Sequence, residues 1–261
     1  MMFGLERKSE IINILERAGK VDVNSLATRF DACKETIRRD LRELEKEGVI
    51  KRTHGGAVLN ISTPKAAQTE FPVSVREIQR YEEKLTICQK AATMIADGDT
   101  IFVDNSSTTI YLLRYIPKDL HVCIITNSLK LLLEAVQVHN PNLQFICLGG
   151  VFKESNMSFS GTIPQRVAKD YYPSKAFLSC ASINEQQMLT DSSAAEVDTK
   201  RMMIERSQSV IILADYTKFQ RMGQIFLADF SAIDYIITDN KTDVSSLDYL
   251  KKYETELVVV K

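Results

Sequence analysis

Seven short aliphatic runs recur beyond residue 99: TIFVD, HVCIIT, LQFICL, KAFLSC, SVIILAD, DYIIT and ELVVV. Helix-like segments such as LKLLLEAV and AEVDTKRMMIERS fall between several of them, and a further helix is predicted near Gln79 to Ala96. A strand with one wet face alternates apolar and polar residues, whereas a strand covered on both faces is apolar throughout. Continuous apolar strands alternating with helices therefore predict a mainly parallel α/β sheet. In open sheets of this kind ligands bind outside the carboxyl ends of the strands. Those ends here read DNSSTT, TNS, GG and DYTK.

The first sixty residues follow a different period. From Leu5 to Leu15 the apolar residues Leu5, Ile11, Ile12, Ile14 and Leu15 give a helical face, with Arg7, Lys8, Glu10 and Glu16 left for solvent. Gly19 ends that helix. Asn24 is placed to cap a short helix SLATRF, and residues 34–47 form a third helix with the stripe Ile37, Leu41 and Leu44, stopped by Gly48. VIKRTHGGAVL then reads as two strands turned at Gly55-Gly56, the form of a wing. The polar segment NISTPKAAQTEFP carries two prolines and reads as a linker. The expected fold class is α/β: an N-terminal winged helix-turn-helix over residues 1–59, a linker over 60–75, and a larger, mainly parallel α/β sensor domain over 76–261.

Lys34, Glu35, Thr36, Arg38 and Arg39 crowd the first turns of the third helix, opposite its apolar stripe. A recognition helix needs that arrangement, because its N-terminal residues reach base edges in the major groove while the stripe holds it to its neighbours. Arg38 or Arg39 is suited to read a guanine, and Lys51, Arg52 and His54 on the wing suit phosphate or minor-groove contact. A solvated charged face would explain these residues alone, but not the two preceding helices and the wing. The formal charge of -1 divides in the same sense, into a mildly basic first segment and a mildly acidic remainder.

The segment TIRRDLRELEKEGVIKRTHGGAVL resembles the N-terminal signature of the DeoR family of repressors almost residue for residue. The resemblance continues through VDNSSTT, ITNSL, LGGVF, SFSG, KAFLSCASI, EVDTKRMM and LADYTKF, in that order. It implies a sensor domain whose fold resembles ribose phosphate isomerases and CoA transferases. It also implies control of double-stranded operator DNA by a phosphorylated sugar that weakens DNA binding. The chain departs from the family at Asn105-Ser106-Ser107, where Asp-Ser-Gly-Thr-Thr is commoner, and at Ser179-Cys180-Ala181, where glycines are.

Each strand-end element also has a physical reading. Ser106, Ser107, Thr108 and Thr109, following Asp104 in a loop that enters a helix, can surround a phosphate; as a bland alternative they cap the helix. Asn127 and Ser128 can bond sugar hydroxyls, and Gly149-Gly150 lets backbone approach a ligand. Lys218, after Asp215, is placed to pair with a phosphate, though on spacing alone it is an ordinary surface lysine. The rival class is an isomerase-like enzyme using Asp104, Glu196 or Asp215 as base, which the fused DNA reader disfavours.

The remaining features exclude more than they assign. The start MMFGLERKSE has no leader-like apolar segment and no run approaches a membrane span, so a cytoplasmic protein without membrane contact is expected. Five scattered cysteines and three histidines lack ligand spacing, so neither a disulfide framework, a metal nor a cofactor is expected. Cys123, Cys147 and Cys180 lie in apolar runs and read as core thiols. Cys33 opens the DNA-reading helix, and a redox role there would require a lowered thiol pKa. Helix-turn-helix readers pair on half-sites, so a homodimer or homotetramer is expected.

Overall fold

The computed structural model describes residues 4–60, 72–219 and 221–261. Most of the expected linker lies outside the described residues. The chain divides into two compact units, Met1–Glu82 and Glu83–Lys261.

In the first unit α1 (Gly4–Ala18), β1 (Lys20–Asp22), α2 (Val23–Arg29) and α3 (Lys34–Lys46) precede the hairpin of β2 (Ile50–Thr53) and β3 (Gly56–Leu59). The strands form an antiparallel sheet in the order β1-β3-β2. The wing thus has a third strand, too short at three residues for a period of two to reveal. Gly19 and Gly48 adopt φ of +73° and +76°, the left-handed conformation that closes α1 and α3. Asp22, and not Asn24, caps α2: its carboxylate accepts from the Asn24 and Ser25 N–H groups at 2.9 and 3.0 Å. A carboxylate also complements the positive end of the helix dipole.

Ile11, Ile12, Leu15, Leu26, Ile37, Leu41 and Leu44 pack together with Val49, Ile50 and Ala57 of the wing. Two expectations for α1 fail. Leu5 is exposed, lying in the first turn beyond the packed face. Arg7 is buried, and its guanidinium donates to both carboxylate oxygens of Asp40 on α3, at 2.5 and 3.1 Å. Asp40 faces inward beside the apolar stripe, so each charge leaves water only because the other accompanies it. Two further residues of this core, Val75 and Ile78, come from α4 (Val73–Ile78).

The second unit begins within α5 (Tyr81–Ala92), which is separated from α4 by Arg80 at φ +54°. It continues through β4 (Thr100–Val103), β5 (Val122–Thr126), α6 (Leu129–Val138), β6 (Leu143–Cys147), β7 (Val151–Lys153), β8 (Ser158–Ser160), α7 (Thr162–Ala168) and β9 (Lys175–Leu178). There follow β10 (Ser182–Asn184), β11 (Met188–Asp191), α8 (Ala194–Arg206), β12 (Ser209–Leu213), β13 (Ile225–Ala228), β14 (Tyr235–Asp239) and β15 (Glu256–Val260).

The seven apolar runs become the strands of one sheet, ordered β15-β14-β12-β9-β4-β5-β6, with every pair parallel. Two antiparallel additions were not legible in the pattern: the hairpin β7–β8 and the sheet β10-β11-β13. Cys88 and Cys180 are buried and Cys123 is half-buried, but Cys147 is exposed, because β6 is an edge strand.

Candidate DNA-reading surface and effector site

The recognition surface rests on α3. Its buried positions Ile37, Asp40, Leu41 and Leu44 turn Lys34, Glu35, Arg38 and Arg39 to solvent, with Thr36 half-buried. Glu35 pairs with Arg42 and lies 3.7 Å from an Arg38 nitrogen, so it holds two guanidinium groups on one exposed face. Arg42 was missed in the sequence; the spacing of four residues from Arg38 was the available signal. Lys51, Arg52 and His54 are exposed on the wing, and the Arg52 N–H donates to Glu45 at 2.9 Å, fixing the hairpin against the end of α3. Cys33, the residue before α3, is exposed. The Thr36 hydroxyl 3.1 Å from its sulfur lowers the thiol pKa.

In the second unit the predicted residues follow the carboxyl ends of β4, β5, β6 and β12. Asp104 is fully buried. One oxygen accepts from Ser106 N–H at 3.0 Å and the Thr109 hydroxyl at 2.7 Å; the other accepts from Ser179 N–H at 3.0 Å and lies 3.1 Å from Lys200. Its acceptor sites are occupied, so Asp104 holds the loop in shape. Ser106 likewise accepts from Thr109 N–H at 3.1 Å, a capping bond. The loop enters a 3-10 helix, Thr109–Arg114. Thr108 offers its carbonyl to the Cys88 thiol at 3.0 Å. Ser107 differs: its hydroxyl accepts from Lys84 on α5 at 3.1 Å, and both residues are buried.

Lys200 on α8 is the second lysine that spacing did not single out. It donates to Asp191 at 2.6 Å and to the Ser179 carbonyl at 2.9 Å. Burial alone would lower its pKa, but Asp191 and Asp104 outweigh burial and raise it. Burial alone would likewise raise Asp191, and Lys200 holds it below the usual carboxylate value. Asp215 is also lowered, burial being outweighed by Lys218, Lys84 and the bonds from Thr217. The charges of Lys218 and Lys84, from two different elements, thus both favour the ionised form of one carboxylate. Burial pushes the neighbouring Cys180 thiol up to about 12.

Asn127 is buried and donates through Nδ2 to the Phe159 carbonyl at 3.0 Å. The Ser128 hydroxyl accepts from Leu131 N–H at 3.1 Å, which makes it the cap of α6. Gly149 and Gly150 have φ of +67° and +120°. A Cβ on Gly150 would stand 2.7 Å from the Ser160 carbonyl and 2.8 Å from Pro164, so packing alone requires glycine there. Glu196 is buried and accepts from Asn156 at 2.8 and 3.0 Å and from Ser158 at 3.1 Å. It ties β8 to α8 and is not placed as a free base. Among the described residues no three His, Cys, Asp or Glu side chains are grouped to hold a metal ion, and no helix is long and apolar enough to cross a membrane.

A DNA-reading unit joined to an α/β unit with polar strand ends defines a ligand-responsive transcriptional regulator. The DeoR-like helix-turn-helix domain matches residues 7–63, and the DeoR C terminal sensor domain matches residues 79–240. The chain belongs to the DeoR family of transcriptional regulators. It is 33% identical to the uncharacterized HTH-type transcriptional regulator YulB of Bacillus subtilis, over 99% of this chain and 98% of that one. It is 32% identical to the HTH-type transcriptional regulator GolR of Listeria innocua, over 92% of each chain. It is also 32% identical to the L-fucose operon activator of Haemophilus influenzae, over 95% of each.

Proposed function

We propose that this regulator represses a carbohydrate-utilisation operon and leaves its operator when a phosphorylated sugar binds the strand-end site. The observation that carries the reading is the buried Lys84 donating to Ser107 at the end of β4, in a site where Lys218 and Lys84 together hold Asp215 below the usual carboxylate value. Two ammonium groups and a hydroxyl on separate elements form a cradle that a phosphate dianion complements. The remaining strand-end groups, Asn127 above all, face the sugar. Residues 1–59 carry operator binding, α4 belongs with that unit rather than with a linker ending at residue 75, and the unit from Glu83 onward senses. The protein acts as a homo-oligomer, because two heads reading paired half-sites need a shared body. The L-fucose operon activator is named for a sugar operon, which supports a carbohydrate operon as the target here.

The test is a titration of operator duplex in an anisotropy assay, with and without a panel of sugar phosphates and their parent sugars. A phosphorylated member should weaken DNA binding while its parent sugar does not. Lys84→Ala and Lys218→Ala should each reduce the sensitivity to that phosphate by roughly tenfold to a hundredfold, since a charge-assisted bond contributes about 1.5 to 3 kcal/mol. Equal action of sugar and sugar phosphate would remove the phosphate site.

A further inference from the structure

The ends of β4 and β5 each carry a buried asparagine whose amide oxygen meets no donor. Asn105 is 3% exposed and Asn127 is 2% exposed, and among the described residues the Oδ1 atom of each is buried without a hydrogen-bond partner. The orientation of Asn127 is set by its Nδ2 bond to the Phe159 carbonyl, so the oxygen is the group left over. The parallel register places Val103 beside Thr126, which brings the two asparagines to adjoining strand ends. A buried acceptor without a donor destabilises the fold it sits in, and such groups mark places where a partner arrives from outside.

The chemistry of that partner follows from what is missing. The dianion of a phosphate monoester has no proton to give and cannot satisfy an amide oxygen. Nor do the lysines supply the donor: Lys84 donates to Ser107 and Lys200 to Asp191 and the Ser179 carbonyl, and Lys84 and Lys218 are the groups assigned to the phosphate. A hydroxyl group fits, since it donates and accepts. It would satisfy Asn105 even if that amide were turned over to present its NH2 group.

We propose that Asn105 and Asn127 each receive a hydroxyl of the effector, and that Asn105 is a specificity-determining residue for a ligand with at least two hydroxyls beyond its phosphate. This rests on the strand-end site being the effector site. Asn105 then selects among phosphorylated polyols and sugars by where their hydroxyls stand. A site built to bond a hydroxyl discriminates strongly against the analogue that lacks it.

Calorimetry on the full chain tests this with glycerol 3-phosphate, ribose 5-phosphate, fructose 1-phosphate, glucitol 6-phosphate and inorganic phosphate, followed by monodeoxy analogues of the tightest binder. In the wild type two deoxy analogues should each bind roughly tenfold to a hundredfold more weakly, one of them lacking the hydroxyl that Asn105 receives. Asn105→Ala should weaken the parent compound by a similar factor, leave that analogue no weaker than before, and leave inorganic phosphate unchanged. The ligand-free Asn105→Ala protein should keep or raise its Tm, because the amide oxygen has no internal donor to lose. A Tm several degrees lower, or equal weakening of phosphate and sugar phosphate, would overturn the role of Asn105. Inorganic phosphate binding as tightly as every organic phosphate would overturn hydroxyl reading while leaving the phosphate cradle. Absence of binding by all five compounds would remove the sensor site itself.

Discussion

Lys200 keeps its charge out of water because Asp191 and Asp104 face it, and the pH dependence of the sensor unit follows from that arrangement. Asp191 is lowered from 3.8, so its contribution is complete above that value and is lost as pH falls through the lower folded value. Lys200 is raised from 10.5, so its contribution is complete below that value and is lost as pH rises through the higher folded value. The pair thus adds a flat contribution through neutrality that fails in acid. Lys200→Met should cost about 3 to 5 kcal/mol at neutral pH, because it strands buried carboxylates. The sign of the acid response should also invert. Thermal melts from pH 7 to 5 should show the variant gaining stability, as the Asp191 carboxylate left without its lysine takes up a proton, while the wild type stays level. Parallel curves would disprove the coupling.

At the level of elements, α3 does two tasks with opposite faces, and the two can be separated by substitution. Leu41 is 1% exposed in the N-terminal core, so Leu41→Ala should cost about 2 to 5 kcal/mol of stability in that unit. Arg38→Ala and Arg39→Ala should leave the melting temperature unchanged. Mobility-shift titrations should instead show weaker specific binding and relaxed base preference, by roughly 1 to 3 kcal/mol for whichever residue reads a base. Lys51→Ala on the wing should weaken binding to all sequences alike and reduce the salt slope by about one phosphate. The wing depends on β1 in turn. A Cβ on Gly56 would stand 2.0 Å from the Val21 carbonyl, so Gly56→Ala should displace the hairpin and weaken DNA binding without touching a DNA-facing side chain.

For the whole molecule, regulation requires that the effector favour one arrangement of the DNA-reading units over another, and linkage makes the effect mutual. If the sugar phosphate weakens operator binding by some factor, operator must weaken sugar phosphate binding by the same factor. Couplings of this kind fall at roughly 5-fold to 150-fold. Calorimetric titration of the effector with and without saturating operator duplex measures it directly. Identical effector affinities in the two titrations would separate ligand binding from DNA release.

Much of this was legible in the sequence because periodicity reports burial. The seven apolar runs are the seven strands of the parallel sheet, and the glycines at 19 and 48 end their helices in the left-handed conformation they permit. The exposed face of α3 and the polar strand ends were legible for the same reason. What periodicity cannot see is which charged residue leaves water, since that depends on a partner distant in the chain. Arg7 was assigned to solvent and is buried on Asp40, 33 residues away. Lys84 and Lys200 carried no local signal, yet each is buried against groups that only the crossing of helix and sheet brings near. The hydroxyls of Ser106, Thr109 and Ser128 looked like ligand contacts and act as caps and loop ties. The sequence by itself determined the strands, the exposed polar face of α3 and the sheet end that carries the polar loops, because those follow from local pattern. Tertiary structure alone decided which polar atoms at that end are already satisfied and which, like the amide oxygens of Asn105 and Asn127, are left without a donor, because hydrogen bonding is settled by geometry between elements.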